Sequence, residues 1–247
     1  MGAHRDLPYR PVPSGSDGGL VSLDVFDPVL PVGCEPAPVM VWVHGGGWRG
    51  GDKANNTFAK MVMLASEGWM MVSVNYRLSP AVTYPTHNED VAAAIAWVSG
   101  HAADYGADPG RISIMGHSAG AGIVSSIATD ERYLQGVGLD LDDVDCAISL
   151  DTEAYDVAAQ SDSEIYRQAF GTDPAVWVDA SPLTHVAPGK GMPDVMVVTR
   201  GSARRIALST RSPMRCRPPG PARSWWTRPR GRTRATTTLS APPATSW

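Results

Sequence analysis

A single α/β domain, with a mostly parallel and doubly wound sheet flanked by helices, is the fold class that the sequence predicts. The chain has 247 residues, of which 43% are hydrophobic and 19% charged, as expected for one globular domain. Short apolar runs recur along it, and segments with helical periodicity separate them. Strands that alternate with helices favour right-handed β-α-β crossovers, which make neighbouring strands parallel.

The predicted strands are short apolar runs. Residues 20–26 alternate apolar and polar side chains, which indicates an edge or half-buried strand. Residues 39–43 form a continuous Val-rich run, which is typical of a central strand buried on both faces. The same character predicts strands at residues 70–76, 112–115, 146–150 and 195–199.

The clearest predicted helix begins near Asn88 and ends before Gly106. Its apolar side chains follow the i, i+3, i+4, i+7 spacing of one buried face, namely Val91, Ala94, Ile95 and Val98. Residues 151–178 are polar, with scattered aromatic residues and no strand pattern. That segment is either a small cap over an active site or a long surface excursion, and the sequence favours the excursion.

Composition excludes several classes of protein. No apolar run approaches the roughly 18 residues of a membrane span, and the first residues lack the apolar region of a signal peptide. We therefore expect a cytoplasmic protein without a membrane partner. Three widely spaced cysteines, Cys34, Cys146 and Cys216, predict neither a disulfide framework nor a metal site.

The sequence GHSAG, at residues 116–120, lies between an apolar strand and a helix rich in Ala and Gly. Gly116 and Gly120 permit a sharp turn that exposes the hydroxyl of Ser118 at the end of the strand, beside the first amides of the helix. We predict that Ser118 is a catalytic nucleophile.

The sequence HGGGW, at residues 44–48, directly follows the first strongly buried strand. Consecutive glycines let backbone N–H groups point into a cavity, which an oxyanion hole requires, and we predict Gly46, Gly47 and Ala119 as the donors. A phosphate-binding loop is disfavoured because neither GxGxxG nor GK[ST] spacing is present. His44 is predicted to fix the loop rather than to act as a base.

HGGGW, NYRLSP at residues 75–80 and ADPGRISIMGHSAGAG at residues 107–122 occur in the order typical of one family. Over residues 39–199 the chain resembles the HGGGW serine esterases, which are hormone-sensitive-lipase-like and feruloyl-esterase-like α/β-hydrolases that include bacterial relatives of kynurenine formamidase. The resemblance implies an α/β-hydrolase fold and hydrolysis of a small carboxylic ester through an acyl-enzyme, without a cofactor or metal. It also implies the triad order Ser, then Asp or Glu, then His. An arylformamidase-like amidase and a catalytically impaired hydrolase fold stay open as alternatives, and so does a homo-oligomer.

The triad acid is missing from the place that the resemblance implies. That place is a Gly-x-x-Asp setting after the strand at residues 195–199, where this chain has VVTRGSARR. Some α/β-hydrolases place the acid after the preceding strand, and here Asp151, Glu153 and Asp156 follow it. We predict Asp151 as the acid, and a surface carboxylate cluster is the alternative.

The triad histidine is also missing from its implied place near the C-terminus. The last histidine in the chain is His185, which precedes the strand at residues 195–199. Without a base the hydroxyl of Ser118 is a poor nucleophile, because its proton has no acceptor during attack. His185 is the first histidine to test if the chain is active.

Residues 211–247 differ in composition from the predicted hydrolase domain at residues 1–210. They contain 8 Arg, 7 Pro and 3 Trp and no Asp, Glu, Val or Ile, so the domain itself has 13 basic and 25 acidic residues, a net charge of −12. One interpretation is a basic arm for nucleic acid or a membrane surface. We favour a frameshift and expect no nucleic-acid partner, with C-terminal elements of the fold missing or aberrant.

The frameshift hypothesis rests on reading the codons one base earlier. Trp225-Trp226-Thr227 then gives Val-Asp after an apolar residue, and Gly231-Arg232-Thr233 permits Trp-Ser-His, with a histidine near position 233. The gene sequence tests it, because no histidine arises unless the codon for Arg232 ends in C.

Overall fold

The computed structural model describes residues 2–28 and 34–200. Within these residues, seven strands form one sheet. The strands are β1 (Gly2–Pro8), β2 (Ser22–Asp27), β3 (Ala37–Val43), β4 (Met70–Val74), β5 (Ala107–His117), β6 (Val144–Leu150) and β7 (Asp194–Val198).

The sheet has the order β1-β2-β4-β3-β5-β6-β7. β2 pairs antiparallel with β1 and β4, and all pairs from β4 to β7 are parallel. The predicted mostly parallel sheet is therefore confirmed. Because the strands from β4 to β7 run in one direction, their C-terminal ends meet at one edge of the sheet, where ligands bind in open α/β sheets.

Helices cover both faces of the sheet. They are α1 (Phe58–Ser66), α2 (Thr86–His101), α3 (Ala119–Thr129), α4 (Arg132–Gln135), α5 (Glu164–Phe170), α6 (Pro174–Asp179) and α7 (Pro182–His185). Val39, Val41 and Val43 share a buried cluster with α2 and α3, whereas the alternate residues Met40 and Trp42 share another with α1. This alternation explains why β3 is apolar at every position.

The predicted helix near Asn88 is α2, and a 3-10 turn at Ala102–Tyr105 ends at Gly106 with φ +75°. The backbone of Gly106 is in the left-handed region, which favours glycine after a helix.

The prediction of an edge or half-buried strand at residues 20–26 is wrong. β1 pairs with the outer side of β2, and every residue from Ser22 to Phe26 is buried. The polar position Asp24 is buried because its carboxylate accepts from the Nζ of Lys53 at 2.6 Å. A charge pair thus replaces the solvent that the alternating pattern indicates.

No helix in the described part of the chain combines the length and the apolar character that crossing a membrane requires. The predicted tail at residues 211–247, its frameshift and the histidine near position 233 all lie outside the described residues.

Candidate active site

Ser118 is the single residue between β5 and α3. Its backbone has φ +54° and ψ −117°, a conformation that costs a residue with a side chain on the order of 1–3 kcal/mol. The Ser118 amide donates to the carbonyl of Leu150 at 2.9 Å, and the Ser118 carbonyl accepts from Gly122 at 3.1 Å. One hydrogen bond thus connects the strained turn to the end of β6, and the other connects it to α3. This is the strand–turn–helix arrangement that GHSAG predicts.

The two glycines of GHSAG allow close approach of backbone segments. A Cβ on Gly120 would lie 2.5 Å from the carbonyl oxygen of His44 and closer still to that of Val43. A Cβ on Gly116 would lie 2.8 Å from the nitrogen of Ala121. Any side chain at either position would therefore push the turn away from β3 or from the start of α3.

The HGGGW loop follows β3 and lies against this turn. A Cβ on Gly45 would be 3.1 Å from the Cβ of Ser118, so the loop backbone passes directly beside the serine. Gly46 and Gly47 have φ +124° and +61°, and Trp48 has φ +59°. The amide nitrogens of Arg49 and Gly50 both donate to the carbonyl of Gly46 at 3.2 Å, which closes the loop into a tight turn.

His44 is buried at the base of this loop. Its ring stacks on Tyr76 with centroids 4.5 Å apart, and the Tyr76 hydroxyl donates to the His44 carbonyl at 3.0 Å. His44 Nδ1 lies 2.7 Å from the carbonyl oxygen of Gly45. Burial lowers the pKa of His44, so the ring is neutral at neutral pH. These contacts agree with a structural role.

Ser118 opens into a cavity of about 570 Å³. Gly47 and Ala119 line it beside the serine, whereas Gly46 is not among the described residues that line it. The structure therefore brings Ser118, Gly47 and Ala119 to one cavity and places Gly46 in the supporting turn.

Residues 151–178 supply nine of the thirteen described residues that line the cavity. The segment contains a 3-10 turn at Ala158–Gln160 and the helix α5. Part of the segment thus forms a wall of the candidate site.

Trp48 joins the HGGGW loop to α5. Its ring makes edge contacts with Tyr166 and Phe170, at centroid distances of 5.1 and 4.9 Å, and it is only 4% exposed. Beside it, Arg49 donates to the side-chain oxygen of Gln168 at 3.0 Å. Sequence reasoning missed this contact, and the unusual Trp after three glycines was its only signal.

Asp151 lies at the end of β6, is 5% exposed and lines the cavity. Its amide donates to the carbonyl of Val198 at 2.7 Å, which holds it beside the end of β7. The Nε of Arg200 donates to Oδ2 at 2.5 Å, and the amide of Arg200 donates to Oδ1 at 3.2 Å. Sequence reasoning identified the carboxylate and missed this arginine.

The other two carboxylates of the predicted cluster lie in different settings. Glu153 also lines the cavity, whereas Asp156 is not among the described lining residues. The side chain of Asp156 accepts from the amide of Ala159 at 3.1 Å. Of the two, only Glu153 faces the same cavity as Ser118.

Of the described residues that line the cavity, none is a histidine. His185 Nε2 lies 2.7 Å from the carbonyl oxygen of Asp179 and 3.7 Å from Asp130 Oδ2. The structure thus engages His185 with α6 and with the residue after α3, and not with the cavity.

Comparisons with known proteins agree with this architecture. The family model described as BD-FAE matches residues 23–167, which is more than half of the chain. Esterase LipQ of Mycobacterium tuberculosis is 40% identical over 134 residues, covering 53% of this chain and 30% of LipQ. Carboxylesterase NlhH of the same organism is 39% identical over 119 residues, covering 48% of this chain and 37% of NlhH.

Among solved structures, Esterase B from Lactobacillus rhamnosis superposes with a TM-score of 0.65. It is 20% identical and covers 85% of this chain and 69% of its own. This similarity shows the fold. The chain spans only about a third of the length of the curated relatives named above, 30% and 37%.

Proposed function

This chain belongs to the BD-FAE family, and we propose that it is a carboxylesterase-type serine hydrolase with Ser118 as its nucleophile. The observation that carries the proposal is the strained turn at Ser118, which opens into the cavity that Gly47 and Ala119 also line. Esterase LipQ and Carboxylesterase NlhH, to which the chain is similar, are esterases by name. A small carboxylic ester is the proposed substrate.

In the proposed reaction, Ser118 Oγ forms a bond to the acyl carbon and the carbonyl oxygen becomes an oxyanion. The backbone N–H groups of Gly47 and Ala119 stabilise the oxyanion, and each such donor is worth roughly 3–4 kcal/mol of transition-state stabilisation. Collapse breaks the bond to the alkoxy group, which takes up the proton that Ser118 Oγ lost on attack and leaves as an alcohol. Water then attacks the acyl carbon and the bond to Ser118 Oγ breaks. One proton of the water returns to Ser118 Oγ, and the acyl group leaves as a carboxylic acid.

Gly46 supports this hole indirectly in the proposal. Its carbonyl accepts the two hydrogen bonds that fold the loop, so it fixes the direction of the Gly47 amide. Residues 151–178 act as a small cap that excludes water from the reacting ester and shapes the pocket. The cytoplasmic location and any homo-oligomer stay predictions.

Asp151 is the proposed triad acid, because it is the buried carboxylate of the cavity. Asp151→Asn should lower kcat by about 10³-fold or more, as loss of a triad acid does elsewhere. Asp156→Asn is the matched control, because Asp156 lies in the same segment but does not line the cavity. Equal losses in the two variants would contradict the assignment.

A specific observation favours a second candidate, a hydrolase fold impaired in catalysis. No histidine is among the described residues that line the cavity, and Arg200 binds both oxygens of Asp151. In such an impaired hydrolase, Ser118 reacts slowly with strong electrophiles, but the protein does not turn over an ester substrate because the hydroxyl proton has no acceptor.

Hydrolysis of p-nitrophenyl acetate and labelling by an alkyl fluorophosphonate distinguish the two candidates. We expect turnover that Ser118→Ala abolishes and that Ser163→Ala, a second cavity serine, leaves within a few fold. Phosphonate on Ser118 without turnover would support the impaired fold and reject the esterase. Turnover that persists in Ser118→Ala would reject Ser118 as nucleophile.

A further inference from the structure

The helix α5 places one aliphatic side chain against the candidate oxyanion hole. The Cγ2 of Ile165 lies 3.1 Å from the position that a Cβ on Gly47 would occupy. Ile165 also lines the cavity with Ser118, and it is 38% exposed despite being a large apolar residue. A substrate that fills the cavity beside Gly47 would therefore bury this side chain.

The position of Ile165 relative to Gly47 is fixed by aromatic contacts that join α5 to the HGGGW loop. Trp48, next to Gly47 in the chain, packs against Tyr166 and Phe170. The amide of Tyr84 donates to the carbonyl of Ala169 at 2.8 Å, near the end of the helix. These contacts tie α5 to the loop that carries Gly47, so a shift of the Ile165 backbone would also disturb Gly47.

We propose that Ile165 is a specificity-determining residue that limits the length of the ester group bound beside Gly47. The inference rests on the proposed function, since it names the substrate size that the same cavity accepts. The Gly47 backbone and the Ile165 side chain leave room for a short group there. Truncating Ile165 to Ala removes three carbon atoms from the wall and opens space for two or three methylenes of the substrate.

Binding of p-nitrophenyl acetate and p-nitrophenyl hexanoate to chains that carry Ser118→Ala tests the proposal without turnover. Each methylene that becomes buried strengthens binding about fourfold. Adding Ile165→Ala should therefore raise the ratio of hexanoate to acetate affinity by about tenfold or more, measured by calorimetry. Ile165→Phe should lower the same ratio.

Val178→Ala is the matched control, because Val178 is an exposed aliphatic residue of α6 that does not line the cavity. It should leave the ratio within twofold. An unchanged ratio in both Ile165 variants, or an equal change in Val178→Ala, overturns the proposal. Lack of turnover by the natural chain would reject the esterase alone, since the affinity ratio is still measured.

Discussion

Replacing Gly120 with Ala should destabilise the whole domain and not only the site. The added Cβ would lie 2.5 Å from the carbonyl oxygen of His44, about 1 Å inside ordinary contact, and 2.8 Å from the carbonyl carbon of Val43. Both atoms are backbone at the end of β3, so no rotamer change relieves the clash. Overpacking of this kind costs about 3 kcal/mol at the upper end of its usual range. Ala gains at most about 1 kcal/mol over Gly in a helix, which leaves a net loss of about 2 kcal/mol.

The assay is urea unfolding followed by far-UV circular dichroism, together with thermal unfolding. A loss of about 2 kcal/mol corresponds to a fall in Tm of about 4–8 °C for a domain of this size. Gly100→Ala is the matched control, because Gly100 lies in α2 and a Cβ there would have no neighbour within 4 Å. That variant should gain up to about 1 kcal/mol. The reasoning is refuted if Gly120→Ala unfolds within about 0.5 kcal/mol of the natural chain.

Three further predictions concern the buried charges, the pH dependence and the cap. Asp24→Ala should lower the free energy of unfolding in urea by about 3–5 kcal/mol, because Lys53, which is 5% exposed, then loses its fully buried partner. A decrease of less than about 1 kcal/mol would contradict the role of the buried pair. Burial lowers the pKa of His87 from 6.5 to about 4, so the unfolded chain takes up this proton first and stability should fall as the pH drops from 6.5 to 4. His87→Gln should unfold with a smaller loss over that window, and an identical loss would reject the role of His87. Trp48→Ala should speed tryptic cleavage after Arg167, because α5 loses the ring that anchors it; unchanged cleavage would show that the cap is held elsewhere.

The central strands and the turn at Ser118 could be predicted because their causes are local in sequence. β3 is a continuous apolar run, and such a run is typical of a strand buried on both faces. The turn at Ser118 is marked by glycines on both sides, since the backbone there leaves no space for a Cβ. In each case the residues that give the sequence pattern lie within the element itself, so the pattern alone predicts the element.

The parts that were missed depend on partners distant in the chain. β1 has mostly exposed residues and no alternation, and it is a strand because β2 pairs with it. The alternating pattern predicts that Asp24 faces solvent. It is buried because its carboxylate pairs with Lys53, which is 29 residues away in the chain. Arg200 likewise reaches Asp151 across 49 residues. Apolar periodicity carries no information on such charge pairs.

The place of residues 151–178 in the wall of the cavity could not be predicted for a different reason. A polar segment normally indicates an exposed loop, yet nine residues of this segment line the cavity. The sequence pattern is the same in both cases. Only the aromatic residues that anchor the segment, such as Tyr166 and Phe170 on Trp48, separate a cap from a surface loop.

Whether a base acts on Ser118 can be tested by supplying one from solution. If the chain lacks a proton acceptor beside Ser118, imidazole should restore one, since a cavity of about 570 Å³ admits imidazole together with a small ester. Hydrolysis of p-nitrophenyl acetate should then rise with imidazole and saturate, and the same titration on Ser118→Ala subtracts the direct attack of imidazole on the ester.

The outcome separates two causes of weak activity. A saturable, Ser118-dependent gain means that nucleophile and oxyanion donors are intact and only the general base is absent, because a misplaced oxyanion hole would not be repaired by a free base. Rapid turnover without any gain from imidazole means that the chain already has a base. Arg200→Ala should enlarge the gain in the first case, since it frees the Asp151 carboxylate to accept the N–H of the bound imidazole.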